Sequence, residues 1–194
     1  MKNLVFATGN PNKTREVGEL LGNQFDIRSL KDIGCTEELP ETNPTVEANA
    51  IQKAQYVYDH FNLDCFAEDT GLEIDALNGE PGVYSARYAG QERNDLANQQ
   101  KVLEKLAGKE NRSARFRTVI ALIIGGKTYT FEGIAEGFIC HEPAGSGGFG
   151  YDPIFQPAGQ LKTFAEMDPS EKNKISHRGK AIGKLVTFLK SLNN

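Results

Sequence analysis

Apolar residues along this chain change period repeatedly, and the changes outline alternating strands and helices. A short apolar run over residues 3–8 predicts a buried strand. Asn10-Pro11 then supplies an N-cap and a first helical residue, with Val17, Leu20 and Leu21 on one face of a helix ending at Leu21. Residues 25–30 fit a second strand, and residues 31–44, rich in charge and proline, a loop. Val46, Ala50, Ala54, Val57 and Phe61 recur at spacings of three and four, which predicts a helix with one inward stripe. Residues 65–67 predict a strand that ends at Glu68-Asp69. Further on, the pattern predicts a helix over 94–106, a hairpin over 115–133 turning at Gly125-Gly126, and a strand over 135–140. The last element, over 176–192, carries Ala181, Ile182, Leu185, Phe188, Leu189 and Leu192 at helical spacing. At 194 residues, with no internal repeat or low-complexity linker, the chain is either one sizeable domain or two closely joined lobes, an α/β fold with a mixed sheet.

Composition narrows the function classes. A net charge of −4 without a basic tract argues against a nucleic acid polymer as partner, since counterion release needs clustered Lys and Arg. A small anionic ligand stays open, because a few cations suffice to hold one. The three cysteines, Cys35, Cys65 and Cys140, are widely spaced with no C-x-x-C, which predicts buried apolar thiols and neither disulfides nor a zinc site. The first eight residues are too brief and wrongly flanked for a signal peptide. The longest aliphatic run, residues 119–124, falls far below the roughly 20 residues of a membrane span. A soluble, cytoplasmic protein is expected.

The candidate chemistry lies in polar segments far apart in sequence. Residues 145–150 satisfy G-x-G-x-x-G, but a dinucleotide fold needs a helix opening directly afterwards. Tyr151-Asp152-Pro153 predicts an extended exit instead, because proline disfavours helical geometry in the residue before it. Lys53, seven residues after Val46, is rotated only about 20° from it on a helical wheel, at the margin of the inward stripe. That position suits either a snorkelling side chain or a cation aimed into a polar cleft. Arg178 shares the inward face of the last helix at its first turn, where the macrodipole disfavours a cation unless an anion or carbonyl is bound nearby. His177 beside it is either a surface histidine or part of the same site. The turn Thr8, Gly9, Asn10, Pro11, Asn12, Lys13 joins a strand to a helix and ends in lysine. It is not a Walker A loop, yet exposed N–H groups and one cation suit a phosphate. Glu68 and Asp69 at a strand end face the ligand crevice of an open α/β sheet, and successive carboxylates alternate sides. Glu41 offers a further oxygen ligand, and such hard donors beside a phosphate site fit Mg²⁺.

Taken in order, Thr8 to Lys13, Glu41, Asn49-Ala-Ile-Gln-Lys53, Glu68-Asp-Thr-Gly-Leu72, Pro81-Gly-Val-Tyr-Ser-Ala-Arg87, Gly147-Gly-Phe-Gly-Tyr-Asp152 and Glu171-Lys-Asn-Lys-Ile-Ser-His-Arg178 carry a resemblance over nearly the whole chain. The sequence resembles the noncanonical purine nucleoside triphosphate pyrophosphatases, the inosine triphosphatase or Ham1-like family. The resemblance implies a single domain over residues 1–194, an elongated mixed β-sheet flanked by helices, with two lobes and a central active-site cleft. It further implies a homodimeric, Mg²⁺-dependent enzyme that hydrolyses ITP, dITP and XTP to the monophosphate and pyrophosphate, cleansing the nucleotide pool. Residue by residue it implies Asp69 as general base and metal ligand, with Glu41 and Glu68 completing the metal site. The Thr8 to Lys13 turn, Lys53 and Lys172 would handle phosphates or adjacent groups, and Thr70 would border the substrate. Phe149, Gly150, Tyr151, Asp152, His177 and Arg178 would form the base pocket. Ala48 departs from the Glu of many relatives, and Tyr151 from the tryptophan of some. Two alternatives are a Maf-like pyrophosphatase acting on other nucleotides, against which the Gly-Gly-Phe-Gly-Tyr-Asp and Ser-His-Arg motifs speak, and a non-catalytic nucleotide-binding regulator, which has no need of Asp69 beside Glu41.

Overall fold

Strand β1 (Lys2–Phe6) buries Leu4, Val5 and Phe6 in succession, the mark of a strand covered on both faces. A computed structural model of the chain describes residues 2–10, 13, 17 and 25–192. The helix expected after β1 is represented by Lys13 and Val17, both helical; Pro11, Asn12 and the remainder of it lie outside the described residues. There follow β2 (Phe25–Ser29), α1 (Val46–Phe61), β3 (Cys65–Ile74), β4 (Pro81–Gly82), α2 (Asp95–Lys105), β5 (Ser113–Ile124), β6 (Lys127–Ile139), β7 (Phe155–Pro157), α3 (Pro169–Ile175) and α4 (His177–Ser191). The strands pair in the order β2-β1-β3-β5-β6-β7, with β4 on β3. β1 runs parallel to β2 and β3, whereas β4 on β3 and β7 on β6 are antiparallel, so the sheet is mixed.

The chain divides into two units, Met1–Asp69 with Thr118–Gly133 and Arg178–Asn194, and Thr70–Arg117 with Ile134–His177. In the first, Ala181, Ile182, Leu185 and Leu189 of α4 pack with Leu4, Phe6, Phe66, Ile120 and Leu122 of the strands. Phe6 and Phe66 stack at 4.5 Å. α1 begins at Thr45, whose hydroxyl accepts from Ala48 N, a cap of about 1 kcal/mol. Its buried stripe is Val46, Ala50, Ala54 and Val57, as the spacing predicts, and Lys53 is buried with them. In the second unit, Leu72 and Ile74 of β3, Val102 and Leu106 at α2, Phe116, Ile139, Phe155 and Phe164 form the core.

Several boundaries differ from those the pattern predicts. β3 does not end at Glu68-Asp69 but continues to Ile74, because Leu72 and Ile74 are fully buried and β4 extends the pairing. The second arm of the hairpin and the strand expected over 135–140 are one element, β6, which passes through Gly133 without a break. Its turn is where expected, Gly125 and Gly126 taking φ of 55° and 75°, the left-handed pair of a tight hairpin. The chain does not leave Tyr151 extended: Asp152–Ile154 forms a 3-10 turn that accommodates Pro153 in its first turn, and β7 follows. The last helix stands where expected, as α4, and a short helix that the pattern does not predict, α3, precedes it across the extended Ser176. Leu192 falls beyond α4 and is exposed, and Cys140 is only half-buried, while Cys35 and Cys65 are buried and all three are free thiols. Among the described residues no helix is long and apolar enough to cross a membrane.

Candidate active site

In the first unit, β3 presents Glu68 and Asp69 in succession. Neighbouring strand residues point to opposite faces, so the two carboxylates meet different cations. The Glu68 side chain has no solvent exposure and accepts from Arg178 Nε at 2.9 and 3.1 Å and pairs with Lys13 Nζ at 3.2 Å. The anion that reconciles Arg178 with the first turn of a helix is therefore the protein's own carboxylate. Asp69 accepts from Lys53 Nζ at 3.1 Å, and the same ammonium donates to Glu41 Oε1 at 2.5 Å. The buried lysine at the stripe's margin is thus a cation between two acids.

The polar face of α1 fixes the loop that carries Glu41. Asn49 Oδ1 accepts from Asn43 N at 2.8 Å, and Gln52 Oε1 accepts from Thr42 N at 3.0 Å. Gln52 Nε2 returns a bond to Thr42 Oγ1 at 2.8 Å. At the end of β1, Thr8 Oγ1 accepts from Asn10 N at 3.1 Å, folding the turn back on itself. Gly9 is exposed and Asn10 half-buried.

Burial and charge set the protonation of this cluster. Burial raises the Asp69 carboxyl, and Lys53 and Lys13 only partly offset it, so its pKa lies above the usual aspartate value. Burial lowers Lys13 more than Glu68 restores it. Lys53 is pulled down by burial too, but Asp69 and Glu41 outweigh that and raise it. For Glu68, burial alone would raise the pKa, yet Arg178 and Lys13 outweigh it and hold the carboxyl below the ordinary glutamate value. A carboxylate with a depressed folded-state pKa contributes stability that is present above its unfolded value and lost as pH falls through the folded one. The stability advantage of wild type over Glu68→Gln, measured by denaturant titration in chelator, is therefore expected to narrow steadily below the ordinary glutamate pKa. An advantage unchanged into strong acid would contradict the ion-paired state.

In the second unit, the glycine-rich segment wraps around the Asp152 carboxylate. Asp152 Oδ2 accepts from Phe149 N and from Lys172 Nζ, each at 2.8 Å. A Cβ on Gly148 would lie 2.1 Å from that oxygen, and the residue's φ is +71°, so only glycine fits. Lys172 also lies 5.2 Å from the centre of the Phe149 ring, a cation–π distance. Tyr151 is buried, and its hydroxyl donates to Ser85 O at 2.7 Å. His177 is buried and stacks on Phe116 at 4.5 Å. Thr70 is half-buried on β3.

The candidate residues thus form two groups. Lys13, Glu41, Lys53, Glu68, Asp69 and Arg178 are held in ion pairs in one unit, and Phe149, Asp152 and Lys172 are joined by hydrogen bonds and a cation–π contact in the other, with Gly150 and Tyr151 between them in the chain. Lys172, expected at phosphates or adjacent groups, donates to Asp152. Pro11 and Asn12 lie outside the described residues. Among the described residues no three Asp, Glu, His or Cys side chains converge as a ready metal cage. The pair Glu41 and Asp69, meeting at one ammonium, nevertheless fits Mg²⁺, which is held through one or two carboxylates together with waters and substrate phosphates. Glu68, saturated by two cations, fits it less well.

The Ham1 family matches residues 4–188. A dITP/XTP pyrophosphatase of Christiangramia forsetii is 54% identical over 186 residues, covering 96% of this chain and 98% of that one. That of Bacillus subtilis is 51% identical over 195 residues, covering 98% of each. Among solved structures, a Ham1 protein of Coxiella burnetii superposes with a TM-score of 0.91 at 42% identity, covering 98% of this chain and 100% of that one. The Ham1 protein of Staphylococcus aureus does so with a TM-score of 0.90 at 38% identity, covering 98% and 99%.

Proposed function

The chain belongs to the Ham1 family, and from that premise we propose that it hydrolyses noncanonical purine nucleoside triphosphates such as dITP, ITP and XTP to the monophosphate and pyrophosphate. The observation that carries a catalytic reading is the buried Asp69, raised in pKa and held with Glu41 on one lysine. Family membership is consistent with a divalent metal requirement. Our assignment is Mg²⁺, held by Glu41 and Asp69; when bound it neutralises phosphate oxygens. Glu68 serves instead to anchor Arg178 and Lys13.

Asp69 orients a water and takes its proton as the water attacks the α-phosphorus. Transfer of this kind needs alignment and charge neutralisation more than covalent help, and Lys13 and Lys53 supply positive charge. Thr8, Gly9 and Asn10 offer backbone and hydroxyl groups to the phosphates, and Thr70 borders the substrate. The Phe149 ring stacks on the purine, with Gly150, Tyr151, Asp152, Lys172 and His177 shaping the base pocket. As a nucleotide-pool enzyme it works in the cytoplasm, and as in the family reading it acts as a homodimer, which light scattering would check.

The deciding experiment follows ITP and XTP with Mg²⁺ by phosphorus NMR at an early time point. The expected products are the monophosphate and pyrophosphate, with loss of turnover in excess EDTA. Accumulation of diphosphate and orthophosphate would overturn α-phosphorus attack, and full turnover in EDTA would overturn the metal.

A further inference from the structure

Helix α2 grips the glycine-rich segment at one residue from both sides. Gly150 N donates to Asp95 Oδ2 at 2.8 Å, and Gly150 O accepts from Gln99 Nε2 at 2.6 Å. The two groups belong to successive peptide planes, so together they fix both torsions of Gly150. That residue is the joint of the segment, with φ of +62°. Phe149 lies on one side of the joint and Tyr151 on the other.

The grip is not a by-product of helix capping. A carboxylate in the first turn ordinarily serves its own helix's free N–H groups. Here Asn94 takes that role, its Oδ1 accepting from Ala97 N at 3.0 Å, and Asp95 is directed at Gly150. Asp95 and Gln99 are four residues apart and share a helix face. Gln99 is buried, so its amide is committed to the contact. The neighbouring buried amide, Asn98, holds a second segment in the same manner: Oδ1 accepts from Ala89 N at 2.7 Å and Nδ2 donates to Ala86 O at 3.1 Å. Because Ser85 O receives the Tyr151 hydroxyl, α2 and the 85–89 turn brace the segment jointly.

We propose that Asp95 and Gln99 are positioning residues that set the angle of Phe149 and thereby the discrimination among purine bases, through their two-sided hold on Gly150. The proposal rests on the reading that residues 149–152 hold the base. Both side chains are spent on the Gly150 backbone, so their loss acts on substrate recognition and spares the chemical step.

The test compares Asp95→Ala, Asp95→Asn and Gln99→Leu with Phe149→Ala, measuring kcat and KM for XTP and GTP alongside Tm. Losing a hydrogen bond to a charged or buried backbone group corresponds to roughly tenfold in binding. Asp95→Ala and Gln99→Leu are therefore expected to raise KM for XTP about tenfold, with kcat within about threefold, and to narrow the XTP preference over GTP. Asp95→Asn keeps an oxygen acceptor and should restore most of the preference. If Phe149→Ala narrows the preference but the α2 variants do not, the positioning role is wrong while the pocket reading stands. Should Phe149→Ala leave the preference intact, the pocket reading fails and the proposal with it. Equal losses for both substrates together with a lowered Tm, unrescued by Asn, would reduce the two residues to fold stability and also overturn the proposal.

Discussion

Asp69→Asn is expected to lower kcat for ITP by roughly 10² to 10⁴, the range for loss of a general base, with KM changed only several-fold. The amide keeps the shape and still accepts from Lys53, so the 3.1 Å contact and the fold around it persist. What disappears is the proton acceptor and one negative charge beside Glu41. Those two losses are separable. A weakened metal site is refilled by mass action as metal concentration rises, whereas a missing base is not. Glu41→Gln, which keeps Asp69, should recover much of its activity at high Mg²⁺, and Asp69→Asn should not. Steady-state rates across a metal titration check this. An Asp69→Asn enzyme retaining more than about half of wild-type kcat would remove Asp69 from the base role.

How far the sequence discloses this arrangement depends on the range of the interactions. The inward stripe of α1 and the Gly125-Gly126 turn are local patterns, and both stand where periodicity and turn chemistry put them. β3 shows the opposite case. Thr70-Gly71 looks like the end of a strand, but Leu72 and Ile74 resume the buried alternation, and Leu72 N is satisfied by the hydroxyl of Ser85. A hydroxyl thirteen residues away leaves no trace in local pattern. α3 is seven residues long, too short for an amphipathic signal, so its Pro169 start was the one available clue. At the site, the acids and lysines stand out by residue type beside strand and helix ends. Their pairing does not: that Lys53 joins Asp69 to Glu41, and Arg178 goes to Glu68, requires β3, α1 and α4 to be assembled. Asp95, Asn98 and Gln99 escape altogether, because ordinary polar residues on a helix look solvated until the backbone they hold is in view.

Glu68→Gln is expected to cost about 3–5 kcal/mol, the usual result of removing one partner from a buried ion pair. In a chain of this size that is roughly 6–20 °C in Tm. The physical reason is the environment: the Glu68 side chain is fully buried, and its loss leaves the Arg178 guanidinium without its anion and lowers the already depressed Lys13 ammonium further. The same substitution distinguishes an anchor from a metal ligand. An anchoring Glu68 lowers Tm by the same amount with or without chelator, because its partners belong to the chain. If it ligated the metal, chelation would strip the corresponding stability from wild type, and the gap between wild type and variant would close in EDTA. Thermal scans of both proteins in Mg²⁺ and in EDTA therefore decide whether β3 contributes one carboxylate to the metal or two, and a gap that vanishes on chelation would return Glu68 to the metal site.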